Sequence, residues 1–260
     1  MPKVISKDGT AIAFETIGKG LPIILVDGAM CSRAFGPMPT LASLLAEHFT
    51  VYTYDRRGRN ESGDTQPYAV EREVEDIEAL IDNAGGSAFV FGTSSGAALA
   101  LEAAIKLDGK IKKFAMYEPP YNSDNVARQA WKEYRKQLAE LVSADRRGDA
   151  AELFMASVGT PADQIAGMRL TPIWSAFEAV APTLAYDAAV LGDRSGPTER
   201  AASVTVPALV MNGSAIPFML DTAKALAKAI PHSQHRTLEG QTHEVAAEAL
   251  APALIEFFKA

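Results

Sequence analysis

Cysteine is nearly missing from this chain. Cys31 stands alone in 260 residues, so no intrachain disulfide can brace the fold and the thiol count carries no sign of an oxidising compartment. Histidine is scarce too, with His48, His232, His235 and His243 only, and none forms an HExxH pair. His232-x-x-His235 has a spacing that a metal pair could use, but in a strand an odd separation sends the two rings to opposite faces, so no metal is expected there. No run of about 18 apolar residues occurs. Met1 to Thr10 carries Lys3, Lys7 and Asp8 instead of an apolar stretch, so the expectation is a cytoplasmic protein with no membrane partner. Positive charge is in deficit as well: 25 Lys plus Arg against 32 Asp plus Glu give a formal net charge of -7, the wrong sign for a phosphate-backbone binder, and nucleic acid is not an expected partner. What is present is ordinary for a folded chain, 48% hydrophobic and 22% charged with 19 Gly and 15 Pro, enough for one large domain or two small ones.

Short β-rich runs at Ile12 to Phe14 and Ile23 to Val26, with Asp8-Gly9 before the first and Gly18-Lys19-Gly20 between them, suggest an opening antiparallel hairpin that leads into a buried strand. The pattern then alternates. Helices are expected around Met38 to His48, Val70 to Asn83 and Ala97 to Leu107, and strands at Val51 to Tyr54, Ala88 to Gly92 and Phe114 to Tyr117. Strands separated by helices of this length imply right-handed crossovers and a parallel sheet covered on both faces, an α/β fold. Pro119-Pro120 breaks the rhythm, and from Asn122 to Gly192 the periodicity is helical: Trp131, Tyr134, Leu138, Leu141 and Val142 share one face, with Arg128, Lys132, Glu133 and Lys136 on the others. A strand returns at Pro207 to Met211, then a helix from Asp221 to Ala229, a strand near Arg236 to Leu238 and a last helix from Val245 to Phe258.

The most informative stretch is Gly92-Thr93-Ser94-Ser95-Gly96, a GxSxG pentapeptide that closes one strand and opens a helix. A serine on such a sharp turn needs small neighbours because other backbone passes close, and the helix N-terminus behind it offers N–H donors to developing negative charge. Asp55-Arg56-Arg57-Gly58-Arg59-Asn60-Glu61-Ser62 follows another strand and reads DxRGxGxS, except that Asn60 replaces the second glycine. With these motifs, the strand order, the helical insertion and a late histidine, the whole chain resembles the α/β-hydrolase fold family. The resemblance implies Ser94 as nucleophile and the backbone N–H of Ser95 as one oxyanion donor. The second donor would be the N–H of Ala29 in Val26-Asp27-Gly28-Ala29, where Asp27 stands in place of the family's usual His. The arginines of the second motif are expected to pair with local carboxylates, and Cys31 to be a small buried side chain.

A serine nucleophile needs a base. Sites in parallel sheets lie at the carboxyl ends of the strands. His48 precedes a strand, and His232 and His235 flank the start of the last one; His243 follows it in Gly240-Gln-Thr-His243 and matches the family's base position. The acid departs from the usual pattern, because Ile216 occupies or adjoins its place after the strand Pro207 to Met211. Some family members carry the acid one strand earlier, and there this chain has Glu118, held by the following diproline. Asp124, Asp187 and Asp221 are alternatives, as is a Ser-His dyad without an acid.

The resemblance makes residues 1–121 and 198–260 the α/β-hydrolase core and 122–197 a helical cap over the site. Phe154, Met155, Met168, Leu170, Trp174, Phe177 and Tyr186 make that cap apolar and favour a substrate with an apolar body. The expected function is cofactor-free hydrolysis of a carboxylic ester or lactone of a small, largely apolar molecule through an acyl-enzyme. Carbon-carbon bond hydrolysis or acyl transfer on the same Ser-His machinery, and a ligand-binding protein without turnover, are the alternatives.

Overall fold

The computed structural model describes residues 1–260. Eight strands form one sheet: β1 (Lys3–Ile5), β2 (Ala11–Ile17), β3 (Leu21–Val26), β4 (Phe49–Tyr54), β5 (Ala88–Thr93), β6 (Ile111–Tyr117), β7 (Ala208–Gly213) and β8 (Ser233–Leu238), in the spatial order β1-β2-β4-β3-β5-β6-β7-β8. The β1/β2 and β2/β4 pairs are antiparallel and every other pair is parallel. The helices of the first half are α1 (Met38–Leu45), α2 (Val70–Asn83) and α3 (Ser95–Lys106). Between β6 and β7 come α4 (Asn125–Ser143), α5 (Arg147–Ser157), α6 (Ala162–Arg169), α7 (Trp174–Val180), α8 (Leu184–Leu191) and α9 (Thr198–Ala201); α10 (Pro217–Ala229) and α11 (Ala247–Lys259) complete the chain.

Alternation along the strands divides the apolar side chains between the two faces of the sheet. Ile23 and Leu25 of β3 pack with Leu41 and Leu45 of α1 and with Leu254, Phe257 and Phe258 of α11. Ile24 and Val26 turn the other way, toward Ile77 and Leu80 of α2 and the Ala97–Leu101 stretch of α3. Strands β5 and β7 are buried along their whole length, as strands covered on both sides must be. Each fully buried Leu, Ile or Phe contributes about 1.5–3 kcal/mol, against about 0–1 kcal/mol for an exposed ion pair, so these two layers hold the scaffold.

The opening hairpin differs from the expected one. The runs that begin at Ile12 and Ile23 do not pair with each other, because β4 lies between β2 and β3; the hairpin is β1 with β2, and β1 is too short and too exposed to leave a pattern in the sequence. Glycine permits this route. The Gly18–Gly20 link passes under the start of β4 so closely that a Cβ on Gly18 would lie 2.3 Å from the Phe49 carbonyl oxygen. In the helical segment, Met155, Trp174 and Phe177 are core residues, whereas Leu170, at the end of α6, is 89% exposed. No helix is long and apolar enough to cross a membrane.

Candidate active site

Successive connections leave β3 and β5 toward opposite faces of the sheet, and the crevice at such a switch point is where open α/β sheets bind ligands. Ser94 stands there, one residue beyond β5. Its φ of 54° and ψ of -127° put it in a backbone region that costs an L-residue roughly 1–2 kcal/mol. Both glycines of the pentapeptide are obligatory for this turn: a Cβ on Gly92 would lie 2.2 Å from the Gly96 carbonyl oxygen, and one on Gly96 would lie 2.3 Å from that of Val26. Ser95 is the first residue of α3, so its N–H has no acceptor within the helix.

The loop after β3 runs against the serine, with the Cβ position of Gly28 only 3.0 Å from Ser94 Cβ. The next N–H, that of Ala29, finds no acceptor in the protein. Asp27, where the family usually has His, is buried and its Oδ1 has no partner. Burial pushes its carboxyl up to about 8, against the opposing pull of Arg59 and Arg56. Asp27 therefore holds more protons folded than unfolded, where an aspartate ionises near 3.8, and stability falls as pH rises through that window. Asp27→Asn removes the titration. Its unfolding free energy is expected to gain on that of wild type from about pH 5 to about pH 8, by up to about 1.4 kcal/mol per pH unit; parallel pH dependences of the two proteins would refute this. Burial likewise pushes the Cys31 thiol up to about 12, which disfavours thiolate chemistry at neutral pH.

Glu118 sits beside Ser94 because Thr93 and Tyr117, the residues before them, are register partners in β5 and β6. The β-ladder continues past both strands, with the Ser94 N–H donating to the Tyr117 carbonyl and the Glu118 N–H to the Met211 carbonyl, each at 3.0 Å. Glu118 also has a positive φ, 46°, directly before Pro119, where an extended conformation is the norm. Three contacts hold it in that unusual state: the N–H just named, Oε1 accepting from the Gly213 N–H at 2.8 Å, and Oε2 2.7 Å from His243 Nδ1. The carboxylate is fully buried, while the imidazole is 35% exposed.

One contributor left no signal in the sequence. The Tyr117 hydroxyl, on the core face of β6, donates to the Thr242 carbonyl at 2.5 Å and fastens the loop that carries His243. The other candidates lie elsewhere. Asp124 accepts from the N–H groups of Val126 and Ala127 at the start of α4, Asp221 is exposed on α10, and Ile216, whose side chain has no hydrogen-bonding group, directly precedes α10. His235 Nε2 bonds Asn212 Oδ1 at 2.8 Å, and His48 and His232 are exposed before β4 and β8.

The three arginines of the loop after β4 are fully buried and committed to carboxylates, which leaves none open to a phosphate. Arg57 pairs with Asp76 and Asp8, and Arg56 with Glu73 and Asp187. Arg56 in part and Arg59 altogether depart from the expectation of a local partner: both reach Asp187, far along the chain on α8. Asn60 has φ 43°, a conformation that asparagine tolerates better than most residues, so it serves where glycine is usual.

Comparison with known proteins agrees with this architecture. A crystal structure of an alpha/beta hydrolase from Sphaerobacter thermophilus DSM 20745 is 51% identical, with a TM-score of 0.88 over 99% of this chain and 100% of that one. A thermophilic esterase from Thermogutta terrifontis, 23% identical, shares the fold with a TM-score of 0.76 over 99% of this chain and 97% of that one. The uncharacterized hydrolase YraK of Bacillus subtilis (strain 168) is 32% identical over 115 residues, 43% of this chain and 42% of that protein. Because the model of the alpha/beta hydrolase family also matches residues 23–253, from strand β3 to strand β8 with every helix from α1 to α10, this chain belongs to that family.

Proposed function

We propose that this protein is a serine hydrolase acting on a carboxylic ester or lactone of a small, largely apolar molecule. The observation that carries the reading is the 2.7 Å contact between His243 Nδ1 and the buried Glu118 carboxylate at the sheet edge where Ser94 occupies its strained turn. In this reading Glu118 accepts a hydrogen bond from Nδ1–H and leaves Nε2 free to take the proton of Ser94 as its Oγ attacks the acyl carbon. Negative charge on the former carbonyl oxygen is stabilised by the N–H groups of Ser95 and Ala29. The alcohol leaves with the proton from His243, and a water activated by the same imidazole then releases the acid. The contact of Glu118 with His243 favours this reading over a ligand-binding protein without turnover, because it supplies the carboxylate that Ile216 cannot.

A fluorophosphonate probe tests the reading, because it reacts quickly only with an activated serine. Rapid labelling, mapped by mass spectrometry to the peptide containing Ser94, is expected, followed by turnover of some member of a graded series of esters and lactones. His243→Ala should abolish both, and His235→Ala should leave both within about twofold of wild type. An unlabelled Ser94, or a lethal His235→Ala beside a mild His243→Ala, would overturn the assignment.

A further inference from the structure

Both stretches that carry the oxyanion donors are fastened to one carboxylate, and it comes from the helices inserted between β6 and β7. Asp187 of α8 accepts from the Ser95 hydroxyl at 2.7 Å and from Arg56 Nη1 at 2.6 Å through Oδ1, and from Arg59 Nη2 at 2.8 Å through Oδ2. Each guanidinium then reaches the loop after β3. Arg56 Nη1 donates to the Asp27 carbonyl at 3.2 Å, and Arg59 Nη1 donates to the carbonyls of Gly28 at 2.6 Å and Cys31 at 3.0 Å. Glu73 and Thr183 complete the cluster, accepting from Arg56 and from Arg59 Nε. All of these side chains are buried.

The contact with Gly28 matters most, because the Gly28–Ala29 bond is trans. In a planar trans peptide the C=O and the following N–H point in opposite directions. A guanidinium fixed on the Gly28 oxygen therefore decides which way the Ala29 N–H points. Gly28 has no Cβ to restrict that peptide from its side, and the Ala29 N–H has no acceptor in the protein to hold it. A flipped peptide would present a carbonyl oxygen where negative charge develops, turning an attraction into a repulsion.

We infer that Arg59, held by Asp187, is a positioning residue that orients the Ala29 N–H for the oxyanion and so makes the oxyanion hole depend on helix α8. The inference rests on the reading of Ser95 and Ala29 as oxyanion donors. Arginine is required, since one planar fork serves Asp187, Thr183 and two carbonyls at once, which a lysine ammonium cannot span.

Arg59→Lys keeps the charge beside Asp187 and removes the fork. Loss of an oxyanion donor costs about 10²–10³ in kcat, and a donor that is misaligned but present should cost about 10- to 100-fold, with KM changed by no more than about threefold. The Ki of a boronic acid, which mimics the tetrahedral state, should rise by the same factor, and the pH profile should keep its shape. Arg57→Lys is the control: Arg57 is equally buried on the same loop but touches no carbonyl of the Asp27–Cys31 stretch, so its variant should lower the melting temperature and leave kcat within about twofold. Similar kcat and Ki in the two variants would overturn the inference. Should Arg59→Lys not fold, Thr183→Val, which removes the acceptor of Arg59 Nε together with the hydroxyl's own donation to the Val180 carbonyl and leaves the guanidinium in place, should give the same signature at about 2- to 5-fold, and an unchanged kcat there would overturn it. If wild type fails to react with the fluorophosphonate, the hydrolase reading falls separately. The Gly28–Ala29 peptide in crystals of the folding variant still decides the positioning claim: an unchanged orientation refutes it, and a rotated one upholds it.

Discussion

Replacing Ser94 by alanine is expected to abolish covalent labelling and to lower kcat/KM by about 10³-fold or more while the protein stays folded. In the proposed mechanism the loss is large because the nucleophile itself is removed, and binding and the oxyanion donors alone would leave only a residual rate. Folding should survive, since the hydroxyl is not part of the buried ion-pair cluster and alanine meets the same backbone cost at φ 54° as serine does. Ser94→Gly sharpens the test. Glycine adopts this conformation without the penalty, so that variant should be inactive and more stable than Ser94→Ala by about 1 kcal/mol. Calorimetry and probe labelling of the two variants check both parts. Full labelling of Ser94→Ala would remove the nucleophile from its assigned position, and equal stabilities would show that the turn stores no strain.

Glu118→Gln is the second large effect, expected to lower kcat by about 10² to 10³ with KM much less affected. The geometry says why so small a change should matter. Oε1 of Glu118 already accepts from the Gly213 N–H, so the amide oxygen of glutamine must stay there and its NH₂ must face His243 Nδ1. Nδ1 would then have to act as acceptor and Nε2 would carry the proton, leaving the imidazole in the tautomer that cannot take one from serine. The imidazolium formed during attack would also lose its buried counter-charge. Asp124→Asn and Asp221→Asn, neither in contact with the histidine, should leave kcat within about twofold. Near wild-type turnover in Glu118→Gln would reduce the site to a Ser-His dyad.

Much of this arrangement was legible beforehand because it depends on local rules. Parallel strands covered on both faces read as apolar runs, and the helices between them show a 3.6-residue period, so the strand and helix sequence from Ile23 to Leu107 could be followed directly. The pentapeptide around Ser94 is informative because the steric demands of its turn, seen in the impossible Cβ positions of Gly92 and Gly96, leave few residue choices. Glu118 follows from the family resemblance, some members carrying the acid one strand earlier than the place Ile216 takes here, and the sequence leaves Asp124, Asp187 and Asp221 open beside it. Strand β1 was missed, with three residues and one buried side chain, and so was its pairing.

Neighbouring residues carry the class of fold and the turn that presents Ser94, because short-range sterics and periodicity act over a few positions, whereas His243 and Glu118 were legible through the family resemblance. Which charges find each other depends on the packing of distant segments. Asp187 lies 131 residues from Arg56 and 128 from Arg59, and Tyr117 lies 125 from Thr242. Nothing in the local sequence distinguishes these side chains from a solvated aspartate or a core tyrosine. Their pairing follows from burial: a carboxylate and two guanidiniums removed from water must satisfy one another, and the partner available to each is set by which helix the folded chain lays over the sheet edge.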